Sequence, residues 1–196
     1  MVRRSASAVS LAALVTGALA LVPPPAAARE NVSLSFGFGW VSPLADPDIA
    51  EGYGGGSTLF VRVHEWFGAR LSVDVAQHDF EGALSNVPYP YTNGDIAFGP
   101  VFEVTPRDSA VAVRLFAETG AYWSSYVLGL IWTWGLDFGS TFLWRITDYL
   151  GAQAELRYHL YNLTSLEDEE LLCPRTLRPL GVLDRMDLVF SVVMAM

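Results

Sequence analysis

Arg62, Asp74, Glu103, Arg114, Glu118, Asp137, Glu155 and Arg157, together with Arg70 and Asp187, occupy alternate positions in stretches whose other positions are largely apolar. Side chains two residues apart in an extended chain share a face, so these acids and bases line common polar surfaces. Two chemistries suit such an arrangement. One is an ion path or gate; the other is a structural plug in which carboxylates are matched by guanidinium groups. Metal and hydrolytic chemistry have less to build on. His64 and His78 show no ligand spacing with carboxylates or with Cys173, so no metal ligand set is read. Asp46, Asp48 and Glu51, and the run Glu167 to Glu170, do not match calcium-loop spacing and read as solvated loops. His159 has no nucleophile placed for it to activate, so no catalytic residue is assigned, and no cofactor.

The elements that must position these groups are strands. In Glu30 to Val41, Val32, Leu34, Phe36, Phe38 and Trp40 alternate with Ser33, Ser35, Gly37 and Gly39, a period of two. The same alternation recurs in 55–64, 69–78, 94–104, 110–123, 131–144, 149–161 and 185–196, which predicts eight strands in all. Pro100 removes one ladder donor from the fourth. Short connections at 65–68, 105–109 and 145–148 alternate with longer ones at 42–54, 79–93, 124–130 and 162–184. That rhythm predicts an all-β, antiparallel, up-and-down transmembrane barrel with both termini on the short-turn side. The uncharged run Thr119 to Leu136 reads as strand and not as a membrane helix, because glycines and aromatics punctuate it and alternation follows Ile131.

Residues 1–28 have the pattern of a secretory leader: Arg3 and Arg4, an apolar stretch from Val9 to Val22, and Ala26-Ala27-Ala28 before the expected cleavage point. Residues 29–196 form the expected barrel domain, and loss of the two leader arginines takes the net charge from -9 to -11. With no lysine and a surplus of acid, nucleic acid is excluded as a partner. One cysteine permits no internal disulfide.

Alternation alone does not say which face points inward, and a soluble lipocalin-like ligand-binding barrel shares it. Glycines, serines and acid–base residues on the polar face suit a narrow lumen, and the opposite face is long and almost free of charge. Trp40, Trp66, Phe67, Trp123, Trp132, Trp144 and Tyr149 gather near segment ends, as an interfacial girdle requires.

On this pattern, carried best by WTWGLDFGSTFLWRITDYLGAQAELRYHLY and the terminal DLVFSVVMAM, the chain resembles the eight-stranded outer-membrane barrels, among them the transmembrane domain of outer membrane protein A. The resemblance implies a bacterial outer-membrane location, lipid and lipopolysaccharide as surroundings, insertion by the outer-membrane assembly machinery, and a monomer. No peptidoglycan-binding domain is expected after the barrel, so that tethering role is not carried over from the resemblance. RYHLYN is also similar to the His-x-Ser-Asn signature of the lipid A deacylase barrels, but Tyr161 stands where the serine would be. A non-enzymatic structural or surface-interaction role through the long loops is therefore expected, with Tyr89 and Tyr91 as candidates to meet an extracellular partner. Within the lumen, a hairpin centred near Thr147 sets Asp137 opposite Arg157, and similarly centred turns make Arg62 with Asp74, and Arg114 with Glu103, diagonal neighbours.

Overall fold

The alternating segments form β1 (Val32–Pro43), β2 (Gly52–His64), β3 (Phe67–Asp79), β4 (Pro90–Glu103), β5 (Val111–Tyr126), β6 (Gly129–Arg145), β7 (Leu150–Asn162) and β8 (Val182–Ala195). The structure, a computed structural model, describes residues 31–44, 50–79, 90–106, 109–126, 129–162 and 182–196. The leader, Cys173, Tyr89 and the acidic run 167–170 lie outside the described residues. Tyr91 is the second residue of β4, paired with His78.

Each strand pairs antiparallel with its neighbour in sequence, and β8 closes on β1, so the sheet is a closed barrel. The expected long connection at 124–130 is corrected: β5 and β6 continue to Tyr126 and Gly129, leaving residues 127–128 between them. Continued pairing of Ser124 with Ile131 and Ser125 with Leu130 satisfies backbone groups that a loop would leave to solvent. Up-and-down order therefore rests on the pairing, not on a strict succession of short and long turns.

The registers set the barrel's shape. A path from Leu34 through Leu59, Leu71, Phe98, Thr119, Leu136, Leu160 and Asp184 returns to β1 at Leu44, whose N–H donates to the Asp184 carbonyl. The circuit thus closes ten residues along β1 from where it began. Eight strands with that stagger tilt by about 40–45° to the axis and leave an interior that side chains fill. Pro100 pairs with Ala69 on β3, while the ladder to β5 passes from Phe98 with Thr119 to Val101 with Phe116, skipping the proline.

The closed structure also answers the question of faces. Phe36, Phe38, Leu71, Val73, Val75, Ile96, Phe98, Leu136, Phe138, Leu156, Leu188, Phe190 and Val192 are exposed on the outside, and Phe98 is 61% exposed. Ser33, Arg70, Ser72, Asp74, Asp95, Glu118, Asp137, Glu155 and Arg157 are buried inside. A water-soluble lipocalin-like barrel needs the reverse arrangement. Toward the short-turn end the outer surface carries Trp66 stacked on Phe102 at 6.0 Å, with Phe67 5.3 Å from Phe102. Toward the other end, Trp40 meets Tyr53 edge-on at 5.2 Å and Trp123 lies 5.4 Å from Trp132. Along β6, Trp132 and Trp144 are separated by roughly 30 Å of axial height at the usual strand rise and tilt, which matches an apolar band with aromatic rims.

Small residues make room for the large groups inside. Gly139 faces Phe116 across the β5–β6 pair, and a Cβ there would lie 2.7 Å from Phe116 Cζ. The inner face of β1 is Ser33, Ser35, Gly37, Gly39 and Val41, with no charge.

A charge placed on the outer band tests its surroundings. Phe98→Arg should cost about 2–4 kcal/mol in phospholipid bilayers, whereas Trp66→Arg at the rim should cost about 0–1 kcal/mol. Urea titration of the folded protein in vesicles measures both, and equal small costs would contradict a lipid-facing band.

Candidate functional site: the charged lumen

Strand alternation and closure bring seven carboxylates (Asp74, Asp95, Glu103, Glu118, Asp137, Glu155, Asp187) and six guanidiniums (Arg62, Arg70, Arg114, Arg145, Arg157, Arg185) into the lumen among the described residues. They form three groups along the axis.

Nearest the short turns, Glu103 is held by three arginines. Arg62 Nη2 lies 2.8 Å from its Oε2, Arg114 Nε 2.9 Å from the same oxygen, and Arg145 Nη2 3.2 Å from Oε1. Surplus N–H groups are used on the turns: Arg62 Nη1 donates to the Glu65 carbonyl at 2.7 Å and Arg145 Nη1 to the Ser109 carbonyl at 2.6 Å. The Arg114 guanidinium also stacks over the Phe60 ring, 4.0 Å from its centroid.

At mid-height Glu155 is the hub. Arg70 grips it with both Nη atoms, at 2.8 and 2.7 Å, and reaches Glu118 through Nε at 3.1 Å. Arg157 bonds Glu155 through Nε at 2.8 Å and also bonds Asp74. Gln153 Nε2 donates to Glu155 at 3.2 Å, and Ser72 donates to Glu118 at 3.3 Å. Phe116 floors this group, 3.9 Å from the Arg70 guanidinium. The two-pronged fork of arginine suits such sharing of one carboxylate, which a point-charge ammonium does not match.

Toward the long-loop end, His159 is buried between acids. Its Nδ1 lies 2.7 Å from Asp137 and its Nε2 3.0 Å from Asp187. Arg185 bonds Asp187 at 2.9 and 2.8 Å and Asn93 at 2.7 Å, and Tyr122 stands edge-on to the His159 ring at 6.3 Å. Asp95 completes the group.

Three expected pairings are corrected. Arg145 pairs with Gly151, so the β6–β7 hairpin is centred on Asp148, one residue beyond Thr147. Asp137 therefore faces His159, and Arg157 faces Gly139 on β6 and Asp187 on β8. Arg62 faces Gly68 while Asp74 faces Gly56, so those two are far apart on the strands; a register shift between Arg62 and His64 sets this hairpin. Glu103 and Arg114 are directly opposite, not diagonal. Asp95, Arg145 and Arg185 were not singled out from sequence. Asp95 and Arg185 share the parity of their inward neighbours, a usable signal; Arg145 was read as part of a turn.

Between the lower and middle groups a cavity of about 20 Å³ lies among Phe60, Arg70, Arg114 and Gln153, room for about one water. Removing one partner from a buried charge cluster leaves the rest uncompensated, so Glu103→Gln should cost about 3–5 kcal/mol. Unfolding in urea followed by gel mobility gives the number; a loss below 1 kcal/mol, roughly that of a surface pair, would contradict the arrangement.

No family model and no curated protein matches the chain. Solved structures do. Neisserial surface protein A is 14% identical with a TM-score of 0.61, covering 85% of this chain and 97% of that one. OprG, an outer membrane protein of Pseudomonas aeruginosa, is 11% identical with a TM-score of 0.55 over 89% of this chain and 99% of its own. Ail, the attachment invasion locus protein of Yersinia pestis, is 12% identical with a TM-score of 0.52 over 86% and 100%. Polar inside, apolar outside and closed by eight antiparallel strands, the chain has the fold of the eight-stranded outer-membrane β-barrels.

Proposed function

We propose that the protein is a monomeric, non-enzymatic barrel of a bacterial outer membrane, delivered by a cleaved leader and the assembly machinery, whose work is done by the connections at its long-loop end. The observation that carries this reading is the combination of an aromatic-rimmed apolar exterior with a lumen filled by ion pairs. The exterior suits lipid and lipopolysaccharide. The interior suits a plug, because Arg70 on β3 bonds Glu155 on β7 and Arg157 on β7 bonds Asp74 on β3, so ion pairs span the bore between those strands. What remains available to a partner is the end where 44–51, 80–89 and 163–181 join the strands. Tyr91, the second residue of β4, stands where one of these connections meets the barrel, and Tyr89 directly precedes that strand in the sequence. Two of the similar solved barrels are named for the surface and for attachment, and the same kind of role is proposed here. Against a lipid A hydrolase stands the position of His159, inside the lumen between Asp137 and Asp187 rather than at the lipid face.

Four measurements test this. Unboiled protein from the outer-membrane fraction should migrate differently from boiled protein on a gel, and planar bilayers should show no large stable pores; a wide steady conductance would overturn the plug. Replacing 163–181 with a short turn should abolish binding to target cells or matrix while leaving the gel shift intact. His159→Ala should leave the lipid A mass spectrum unchanged, and a changed spectrum would favour the enzyme.

A further inference from the structure

Asp95 is fully buried, yet neither carboxylate oxygen has a hydrogen-bond partner among the described residues. Its facing residue on β3 is another acid, Asp74, and like charges directly opposite repel. Its nearest cationic atoms, His159 Nδ1 and Arg185 Nη2, are each 3.7 Å away, beyond hydrogen-bonding reach. Arg185 is already committed to Asp187 and Asn93, and Asp74 to Arg157. Asp95 therefore has two ion-pair neighbours at 3.7 Å and a hydrogen bond to neither, which leaves both of its buried oxygens open to a further ligand.

Two further donors converge on the same point. Oxygens of Asp95 and Asp137 and a ring nitrogen of His159 all lie within 4.8 Å of one another. We propose that Asp95, Asp137 and Nδ1 of His159 bind a divalent metal ion of the zinc class inside the long-loop end of the barrel, with Asp187 holding the imidazole from the opposite nitrogen.

The donor set fits. One imidazole and two carboxylates, with a water in the fourth position, is a set that zinc accepts. Donors about 2.0–2.1 Å from a tetrahedral ion stand roughly 3.3 Å apart. The present separations from Nδ1, 2.7 Å to Asp137 and 3.7 Å to Asp95, bracket that value. Nε2 lies 3.0 Å from Asp187 Oδ2 and 2.9 Å from Arg185 Nη2; metal on Nδ1 requires the ring proton on Nε2, donated to Asp187 as the second-shell contact that fixes a ligating histidine's tautomer, with Arg185 Nη2 kept on Asp187. Charge agrees as well. Asp95, Asp137 and Asp187 against Arg185 leave two negative charges when the imidazole is neutral, and one divalent ion cancels them. Without the ion, a proton on Nδ1 bridges His159 to Asp137, so binding exchanges that proton for the metal. The groups facing the ring among the described residues include Asp95, Asp137, Asp187, Arg185 and Tyr122.

The test uses the full chain folded in detergent micelles, stripped with chelator and titrated with zinc chloride by calorimetry, then with cobalt(II) to read geometry from its visible bands. One zinc per chain, four-coordinate cobalt bands and a raised unfolding temperature are expected. Asp95→Asn should keep the heat-dependent gel shift, be no less stable than the parent without metal because the repulsion with Asp74 is gone, and lose at least tenfold in affinity. Asp187→Asn, which touches no metal, should weaken binding by about tenfold. Absence of stoichiometric binding by the parent, or equal affinity in Asp95→Asn, would overturn the site. If Asp95→Asn does not fold, the cobalt spectrum of the parent decides alone: four-coordinate bands support the site, and a six-coordinate spectrum refutes it.

Discussion

Charge inside a cylinder too narrow for bulk water must be neutralised by other side chains, and the rest of this molecule is arranged around that requirement. Eight tilted strands enclose a bore that side chains fill. Every guanidinium that enters it therefore needs a carboxylate within reach, and the converse. Glu103 with three arginines, and Glu155 gripped by two, show how the need is met by sharing rather than by isolated pairs. Glycines at the facing positions follow from the same crowding, as Gly139 does beneath Phe116. The apolar exterior is the complement: once the polar groups are inside, the large apolar residues have only the outside left.

Much of this was legible in the residue order, because alternation at period two is a local property. The parity of Arg70, Asp74, Glu118 and Arg157 can be read without knowing any partner strand. Register is different, since it depends on where each turn is centred. A displacement of one residue, from Thr147 to Asp148, moves a facing partner by two, and this replaced Arg157 by His159 opposite Asp137. The tip between β5 and β6 was hidden for a related reason: uncharged, aromatic Ser124 to Leu130 reads equally as loop or strand until its pairing is known. The convergence of Asp95, Asp137 and His159 comes from β4, β6 and β7, and no spacing along the chain announces it.

Faces and ends carry separate tasks. Aromatic pairs such as Trp40 with Tyr53 and Trp66 with Phe102 mark two rims on the outer surface, while the lumen is stratified into three polar groups along the axis. The strata differ in sign. Three arginines surround one acid at the short-turn end, and acids outnumber the single arginine at the other. The barrel is thus polarised internally, cationic toward one mouth and anionic toward the opposite one.

The neutral inner face of β1 divides the labour among the strands unevenly. All lumen charges among the described residues belong to β2 through β8, so the ionic core is complete as an open arc of seven strands. Closing the hoop through β1 makes and breaks no ion pair; it adds backbone hydrogen bonds to β2 and β8 and fits Ser33, Ser35, Gly37 and Gly39 against what is already there. β1 thus contributes backbone ladders and small neutral side chains to the closed barrel and leaves its ion-paired interior to the other seven strands.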